Sequence, residues 1–315
     1  MSTEPYEVVL VRDGTNDDAW LEARHDGISG SDVLACMGLD PRKQPAHVWL
    51  EKVRRERIDG AENEAMVMGR ILEPAVKAAF TWKTGIAVRD ATELLRSTRW
   101  PWMLATPDGW IDPDEIFEAK TTGFHMRDEW AQGSVPERAA AQTMHYLAVT
   151  GRKGAHVAVL INNRVEIRYI PRDEALIEMI VEAERAFWQT VTEGAMPDLV
   201  PGMDTPVLLE TLWPNQTGQR EITDTELATV DAYNAANSEF LRWKKRRDEL
   251  GDSVRILAQG AEEITWGGSI VASIRTSVRN SIDLKKLRDS YPSVADDCTY
   301  PNPVRTLRIP RKGSR

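Results

Sequence analysis

The chain has 315 residues, of which 42% are hydrophobic and 28% charged; these proportions exclude extensive disorder, and no apolar run reaches the roughly 18 residues of a membrane span. Its two cysteines, Cys36 and Cys298, exclude a disulfide framework and a four-cysteine metal site and favour a reducing cytoplasm. The formal net charge of −9 argues against general nucleic-acid binding, although residues 222–315 carry 16 basic and 13 acidic residues, a net of +3.

The first part of the chain is expected to be a loose lead-in followed by helices. Residues 1–17 lack the basic start and apolar core of a signal peptide, and we expect no regular structure there. Residues 28–32 indicate a Gly/Ser turn whose serines can cap the next helix, and Pro74 predicts a kink or a junction near Glu73. The predicted helices are Val33–Met37, Ala46 to Arg57 and Glu62–Lys83.

Short strands are predicted next, because the apolar residues between 86 and 122 come in short runs separated by Pro, Gly and Asp turns. Helical spacing then returns before Gly151, and Asn162-Asn163 divides two apolar runs as a hairpin turn does. The predicted strands are Ile86–Val88, Leu94–Arg96, Trp102–Ala105, Gly109–Ile111, Ile116–Lys120, Ala155–Ile161 and Val165–Ile170, and the predicted helices are Pro136–Thr150 and Glu174–Glu193. This alternation predicts an α/β domain over residues 18–195.

The remaining third of the chain is predicted to be a linker and a C-terminal extension. Residues 196–222 are rich in Pro, Gly and Thr, which indicates a loop without regular structure. The extension, residues 223–310, is predicted to contain the helices Thr223–Leu250 and Asp283–Asp289 and the strands Glu263–Trp266, Ile270–Ile274 and Val304–Ile309. The long helix is not predicted to form a coiled coil, because Asn234 and Asn237 interrupt its apolar spacing.

Two carboxylates and an amine in the strand region are candidates for a catalytic site. Glu118 and Lys120 are two residues apart on a predicted strand, so their side chains share one face, and Asp108 joins them if its strand pairs alongside. Carboxylate oxygens are the ligands that Mg²⁺ prefers. An exposed Glu–Lys pair is the plain alternative, and the comparable triplet Asp283–Lys285 is interpreted as the start of a helix.

Two pairs of residues at helical spacing are further candidates. Gly69 and Glu73 share a helix face, where the glycine admits a close neighbour and the carboxylate can complete a metal site. Gln142 and Tyr146 share a face of a later helix, where an amide and a hydroxyl can hold a water or a phosphate oxygen. Each pair is also compatible with an ordinary polar helix surface.

Residues in two further places are candidate phosphate contacts. Arg24 and Ser31 flank the Gly/Ser turn, where a guanidinium, a hydroxyl and backbone N–H groups at a helix start can form a phosphate pocket. Arg242, Lys245 and Arg246 belong to a basic run of the long helix that can lie along a DNA backbone. The alternatives are helix capping at the turn and a solvated helix face.

The order of these groups resembles the PD-(D/E)XK nuclease superfamily. The matching pattern is Gly69-x-x-x-Glu73, Asp108, Glu118-x-Lys120 and Gln142-x-x-x-Tyr146. Residues 24–32 (RHDGISGSD) and 145–151 (HYLAVTG) are similar to motifs of its YqaJ-type viral recombinase branch, which includes the lambda exonuclease. The resemblance covers residues 18–195 and implies an α/β nuclease core, a mixed central sheet flanked by helices, with a C-terminal extension of a helix and strands.

The resemblance also implies a metal site. Asp108 and Glu118, helped by the Ala119 carbonyl, would bind Mg²⁺, for which Mn²⁺ can substitute. Glu73 would assist a second ion or its water. Two divalent ions supply what phosphodiester hydrolysis needs, an attacking hydroxide and neutralisation of the charge on the phosphate.

For the other residues of the pattern, the resemblance implies roles in positioning water and substrate. Lys120 would position the attacking water and favour its deprotonated form, and Gln142 would orient that water or the substrate. Arg24 and Ser31 would hold a 5′-phosphate or the phosphate next to the cut, and Tyr146 could donate to a phosphate.

The function that the resemblance implies is a Mg²⁺-dependent DNA exonuclease acting on linear duplex by two-metal catalysis, with 5′-end resection in phage recombination. Its partners would be linear duplex ends and a single-strand annealing protein, its assembly a homo-oligomer such as a ring, and its location the cytoplasm of a bacterial host. Two alternatives remain open: a single-strand or structure-specific DNA repair nuclease of the same fold, and a non-enzymatic DNA-binding or assembly protein.

Overall fold

The structure, a computed structural model, describes residues 4–55, 57–58, 64–202, 204–300 and 307–309. The chain divides into two compact units, Met1–Gln216 and Thr217–Arg315, each with its own secondary structure. Across the described ranges, no helix combines the length and the apolar character needed to cross a membrane.

The first unit is built from helices and short strands that alternate along the chain. Its helices are α1 (Asp17–Ala23), α2 (Val33–Cys36), α3 (Pro45–Arg54), α4 (Glu64–Thr84), α5 (Glu137–Thr150), α6 (Glu174–Glu193) and α7 (Thr205–Leu212). Its strands are β1 (Tyr6–Val11), β2 (Ile28–Ser29), β3 (Arg89–Asp90), β4 (Glu93–Ser97), β5 (Met103–Ala105), β6 (Gly109–Ile111), β7 (Glu115–Thr122), β8 (Gly154–Ile161) and β9 (Arg164–Pro171). The predicted bounds of β6 and α6 are confirmed.

A five-stranded mixed sheet, in the order β3-β6-β7-β8-β9, forms the centre of this unit. Its neighbouring strands are antiparallel except β7 and β8, which run parallel from Glu115–Gly154 to Thr122–Ile161. A parallel pair needs a crossover connection, and α5 lies in the segment that joins the two strands. This mixed sheet flanked by helices confirms the predicted fold class.

The alternation of side chains along β7 decides which helix covers each face of the sheet. Ile116 belongs to a buried cluster with Leu147 of α5. Phe117 points the other way and packs against Phe80 of α4, with ring centroids 5.0 Å apart. Glu118 has the parity of Ile116 and therefore lies on the face that α5 covers.

A second sheet, in the order β1-β4-β5-β2, includes a strand that the sequence did not indicate. The expectation that residues 1–17 lack regular structure is wrong, because Tyr6–Val11 pairs antiparallel with β4 and α1 begins at Asp17. The strand is half-exposed and bulged, so its local pattern is weak. Its partner lies far along the chain, where a local pattern carries no information about pairing.

The predicted loop over 196–222 is also wrong in part, since it contains α7. Leu208 of this helix is fully buried in a cluster with Phe187 of α6. Before the helix, Asp204 accepts hydrogen bonds from the Gln44 backbone N–H at 2.9 Å and from Gln44 Nε2 at 2.8 Å. The boundaries 18–195, 196–222 and 223–310 stay a prediction about domains.

Three smaller differences concern single elements. The predicted strand Ile86–Val88 is wrong, and pairing begins at Arg89 instead. Pro74 lies inside one helix that continues from residue 64 to 84, so there is no junction at Glu73. The predicted strand Val304–Ile309 lies largely outside the described residues, and its described part, 307–309, has no strand.

The second unit contains one long helix, a hairpin and two short helices in its described residues. They are α8 (Asp224–Ala258), β10 (Glu263–Trp266), β11 (Ser269–Ser273), α9 (Leu284–Ser290) and α10 (Pro292–Asp297). Thr223 and Glu226 form a capping box at the start of α8. Asp283 accepts a hydrogen bond from the Lys286 N–H at the start of α9. The interpretation of the triplet Asp283–Lys285 as the start of a helix is therefore confirmed.

Candidate active site

Asp108 lies where the pairing between β6 and β7 stops. The two strands pair as far as Gly109 and Phe117, so β7 continues with an open edge. The Asp108 carboxylate lies at that edge, and its Oδ2 accepts a hydrogen bond of 2.8 Å from the Ala119 N–H. The structure thus brings Asp108 to the predicted Glu-x-Lys segment.

Glu118, Lys120 and Gln142 form one polar network between β7 and α5. Glu118 is buried, and its Oε1 accepts hydrogen bonds from Lys120 Nζ at 2.6 Å and Gln142 Nε2 at 2.9 Å. Lys120 Nζ also donates to Gln142 Oε1 at 3.2 Å. The amide of Gln142 is therefore fixed at both ends, and the amine and the carboxylate are held in contact.

Tyr146 extends this network by one turn of α5. Its hydroxyl accepts from Gln142 Nε2 at 3.2 Å and lies 3.2 Å from Thr106 Oγ1. Burial, with the nearby charge of Glu118, raises the pKa of Tyr146 to about 12. The hydroxyl is therefore neutral near pH 7 and able to donate a hydrogen bond.

Gly30 places the N-terminal Gly/Ser motif directly against this helix face. A Cβ at Gly30 would lie 2.5 Å from Tyr146 Cε1 and 2.9 Å from Gln142 Cγ, closer than real Cβ contacts come. Only glycine fits without displacing the site. Two motifs that are more than a hundred residues apart in sequence are therefore in contact in the fold.

Glu73 reaches the site from α4, on the side of the sheet opposite to α5. Glu73 and Asp108 line the same open cleft, which has a volume of about 760 Å³. Glu73 is partly exposed and lies 3.9 Å from Lys77 Nζ, which also binds Asp90 Oδ1 at 2.5 Å. A Cβ at Gly69 would meet only Thr121 Oγ1 at 3.8 Å, so no described neighbour requires the predicted glycine there.

The three carboxylates have raised pKa values because they are desolvated and close to one another. Burial, followed by the charge of Asp108, raises the pKa of Glu118 to about 8 and that of Glu73 to about 7. Burial also raises the pKa of Asp108. Burial opposes the charged form of Lys120, but Glu118 and Asp108 outweigh it, so the pKa of Lys120 is raised. Concentrated acidic charge of this kind is stabilised by a bound cation.

The donors at this edge fit a hard divalent ion. Glu118 Oε2 is buried, and no described group forms a hydrogen bond with it. The N–H and the carbonyl of one strand residue face the same edge, so the Ala119 carbonyl faces the edge where Asp108 binds its N–H. No three His, Cys, Asp or Glu side chains in the described ranges form a ready metal cluster. Two carboxylates and a main-chain carbonyl are oxygen donors, which Mg²⁺ prefers.

Arg24 and Ser31 lie in the motif that packs on α5. Arg24 Nε donates to Ser29 Oγ at 3.2 Å, and Ser31 is partly exposed directly after Gly30. The Ser29 N–H donates to Asp32 Oδ2 at 3.4 Å, which closes the turn. Ser31 thus follows the residue that packs against Tyr146, and Arg24, in the short 3-10 helix Arg24–Asp26 before β2, is tied to the turn through Ser29.

Sequence reasoning missed a buried ion pair beneath this turn. Asp32 lies 3.1 Å from Lys52 Nζ and 3.6 Å from Lys43 Nζ, and Lys52 also donates to the Arg24 carbonyl at 3.1 Å. Burial disfavours the Asp32 carboxylate, but Lys52, Lys43 and Arg24 outweigh it and hold its pKa far below the usual range. A lysine on a helix gives no sequence signal of burial, because most helical lysines are solvated.

A second buried pair, His145 and Glu184, fixes α5 to its neighbours. His145 Nδ1 lies 2.7 Å from Glu184 Oε1 of α6, and His145 Nε2 lies 2.9 Å from the Leu104 carbonyl of β5. Burial disfavours the charged imidazole, but Glu184 outweighs it, so the pKa of His145 is raised. Both ring nitrogens of His145 are therefore engaged by partners within the protein.

The basic residues predicted to contact DNA on the long helix belong to the second unit. Arg242, Lys245 and Arg246 are exposed on α8. Lys245 Nζ and Arg246 Nη1 each lie 3.9 Å from Glu249. Their role in DNA binding stays a prediction.

Comparison with known proteins identifies a family that this chain matches. The family described as the YqaJ-like viral recombinase domain matches residues 19–153, a range that contains every candidate residue of the first unit. A curated protein of Bacillus subtilis (strain 168), the uncharacterized protein YqaJ, is 31% identical over 308 residues, which cover 93% of this chain and 94% of that protein.

Solved structures resemble part of this chain. An alkaline exonuclease (LHK-Exo) from Laribacter hongkongensis matches with a TM-score of 0.51 and 22% identity, covering 56% of this chain and 94% of that one. The structure of LHK-Exo in complex with dAMP matches with the same values. At this level of identity the likeness shows a shared fold.

Proposed function

The chain belongs to the YqaJ-like viral recombinase family, and on that premise we propose that it is a Mg²⁺-dependent exonuclease that degrades linear duplex DNA from its 5′ end. The observation that supports this most is the network of Asp108, Glu118, Lys120 and Gln142 at the open edge of β7. The fold shared with LHK-Exo supports the same chemistry.

Asp108, Glu118 and the Ala119 carbonyl would hold the ion, and Glu73, which lines the same cleft as Asp108, would assist a second one. Mg²⁺ when bound, or Mn²⁺ in its place, offsets the negative charge that develops on the phosphate and makes water a stronger nucleophile. The unpartnered Oε2 of Glu118 supports this assignment, because a buried carboxylate oxygen without a hydrogen bond is costly.

Lys120 would act as an ammonium group. Burial opposes the charged amine, but Glu118 and Asp108 outweigh it and raise the pKa of Lys120; as an ammonium group it would donate a hydrogen bond to the attacking oxygen and favour its deprotonated form. Gln142 holds Lys120 and Glu118 in register through its two amide ends. We assign Gln142 the orientation of water or substrate.

Arg24 and Ser31 would bind the 5′-phosphate, and Tyr146 would donate to the same group. The guanidinium is tethered to the turn through Ser29, and the turn itself is seated on α5 by Gly30. The complex of LHK-Exo with dAMP shows a protein of this fold with a deoxynucleotide. This supports a mononucleotide as the product here.

The proposal extends to the oligomeric assembly of the protein and to its biological setting. We propose that the chain acts in phage recombination in the bacterial cytoplasm, supplies single strands to an annealing protein, and works as a homo-oligomer on linear ends. Arg242, Lys245 and Arg246 are proposed as further DNA contacts.

One experiment tests the chemistry: linear and closed circular duplex are incubated with the protein in Mg²⁺ or in chelator. We expect linear duplex alone to shorten, and only with metal. Lys120→Ala should lose roughly 10²-fold or more in rate, as removal of one donor to developing charge does, while Lys153→Ala, at a lysine with 76% of its side chain exposed, should stay active. Full activity of Lys120→Ala would reject the site.

A second experiment tests the phosphate pocket and the alternative substrates. The rate on 5′-phosphorylated ends is compared with the rate on 5′-hydroxyl ends, with Arg24→Ala as the variant. We expect the preference for phosphate to disappear in the variant. Cutting of closed circles, or of branched substrates alone, would favour a structure-specific nuclease, and chelator-resistant binding without hydrolysis would favour a DNA-binding protein.

A further inference from the structure

A buried lysine of α3 closes a ring of hydrogen bonds with residues of the N-terminal motif 24–32. Lys52 Nζ donates to the Arg24 carbonyl at 3.1 Å and to Asp32 Oδ2 at 3.1 Å. Asp32 Oδ2 also accepts a hydrogen bond from the Ser29 N–H at 3.4 Å, and Ser29 Oγ accepts one from Arg24 Nε at 3.2 Å. Each of the four residues is therefore bonded to two others, and we call this arrangement the Lys52 ring.

The Lys52 ring is largely shielded from water. Lys52 is 7% exposed, Asp32 6% and Ser29 4%. Hydrogen bonds are electrostatically stronger in such surroundings than in water. Replacement of a whole buried ion pair by apolar residues is nevertheless often neutral for stability, whereas the alignment of neighbouring elements is the best-attested use of such a pair. The ring is therefore better explained by what it positions than by the stability it supplies.

Arg24 is the residue that the ring holds at two points. Its carbonyl is bound by Lys52, and its side chain is bound through Nε by Ser29. The terminal nitrogens of its guanidinium, Nη1 and Nη2, form no hydrogen bond with any residue that the structure describes. A guanidinium that is fixed in this way presents its remaining N–H groups as a fork, the geometry that binds two oxygens of one phosphate.

Ser31 is positioned by the same ring. It lies between Ser29 and Asp32, which are both ring members, and directly after Gly30, which packs against α5. Lys52 is the member that α3 contributes, so it anchors the motif to the helix beneath it. A change at Lys52 would therefore alter the spacing between the Arg24 guanidinium and the Ser31 hydroxyl.

We propose that Lys52 is a positioning residue that sets the preference of the nuclease for DNA ends with a 5′-phosphate. The inference rests on the proposed function, because it takes Arg24 and Ser31 as the groups that bind this phosphate. Lys52 acts through Arg24 and not by touching DNA. Only 6% of its side chain is exposed, and two of the three N–H groups of its ammonium are used within the ring.

The first test compares hydrolysis of linear duplex with 5′-phosphate ends and with 5′-hydroxyl ends in Mg²⁺. Lys52→Met keeps an unbranched side chain and removes its donors. We expect kcat/KM for phosphorylated ends to fall roughly tenfold or more, the value of one hydrogen bond to a charged group, and kcat/KM for hydroxyl ends to stay unchanged. Lys52→Arg, which keeps the charge and the donors, should retain the preference for phosphate.

The matched control is Lys83→Met. Lys83 also lies on a helix and donates to a main-chain carbonyl, that of Val165, but it is no member of the ring. This variant should keep the parental ratio of the two rates. The ratio separates positioning from loss of folded protein, because a partly unfolded variant loses the same fraction of its activity on both kinds of end.

Two results of this comparison would overturn the inference, and they differ in what else they reject. If the parent prefers phosphorylated ends and Lys52→Met keeps that preference, Lys52 has no positioning role and the proposed nuclease stands. If the parent digests both kinds of end equally, the 5′-phosphate pocket is rejected and the role of Lys52 with it.

The second test does not depend on activity. Hydrogen exchange, measured by mass spectrometry on peptides that cover residues 24–32, reports how firmly the motif is held. We expect faster exchange there in Lys52→Met, because Asp32 loses the group that fixes it beside the Ser29 N–H, and parental exchange in Lys83→Met. Peptides from β8 should exchange as in the parent in Lys52→Met. Parental exchange of residues 24–32 in Lys52→Met would show that the ring does not hold the motif and would overturn the inference.

Discussion

Replacement of Gly30 by alanine should damage both the stability and the chemistry of the first unit. The new Cβ would lie 2.5 Å from Tyr146 Cε1 and 2.9 Å from Gln142 Cγ. Tyr146 is 3% exposed, so its ring cannot swing into solvent. Overpacking of this kind costs about 1–3 kcal/mol, which a protein with roughly 5–15 kcal/mol of stability survives as a folded chain.

The effect on activity should exceed the effect on stability. Gln142 holds Glu118 and Lys120 at 2.9 and 3.2 Å, and a displacement of about 1 Å in such a network can cost roughly 10²-fold in rate. The assay combines urea unfolding with the rate of linear-duplex hydrolysis. Gly69→Ala is the control for stability, because its Cβ meets only Thr121 Oγ1 at 3.8 Å; within a helix it should stabilise by about 0.5–1 kcal/mol. If Gly30→Ala unfolds at the same urea concentration as the parent and digests DNA at the parental rate, the packing argument is refuted.

Three further predictions concern groups that the structure buries. Asp32→Asn should lower the free energy of unfolding by about 3–5 kcal/mol, because it leaves the charge of Lys52 without its carboxylate partner. The pKa of Asp32 is depressed in the folded state, so the stability that its carboxylate contributes is full above about pH 4 and is lost as the pH falls. Urea titrations at pH 7 and pH 3 should therefore show a smaller difference between variant and parent at the lower pH. His145→Ala should cost a similar 3–5 kcal/mol, because it strands the buried carboxylate of Glu184, and equal urea midpoints for variant and parent would contradict this. Leu208→Ala should cost about 2–5 kcal/mol through the cavity it opens, and a null effect would show that α7 is not part of the core.

Local patterns predicted the elements that carry the candidate site. Glu118-x-Lys120 lies on a strand, Gln142 and Tyr146 share a helix face, and these assignments depend only on periodicity along short stretches. The fold class followed from the same alternation. The contact between Asp108 and Ala119 depends on the pairing of β6 with β7. That pairing was predictable because the two strands are consecutive in the sequence.

The features that were missed depend on long-range contacts or on burial of charge. Strand β1 pairs with residues more than eighty positions away, and α7 is stabilised by Leu208 in a core built from other helices. Asp32 and Lys52 are adjacent only after α3 packs beneath the turn. No local pattern distinguishes such a lysine from a solvated one, because its side chain is the same in both settings.

The ladder between β6 and β7 ends at Gly109, the residue next to Asp108. The scaffold and the candidate site therefore use different hydrogen bonds: loss of this carboxylate would free a single amide of β7 and leave the bonds between β6 and β7 in place. Substitution of Asp108 would therefore remove the proposed metal ligand without dismantling the sheet.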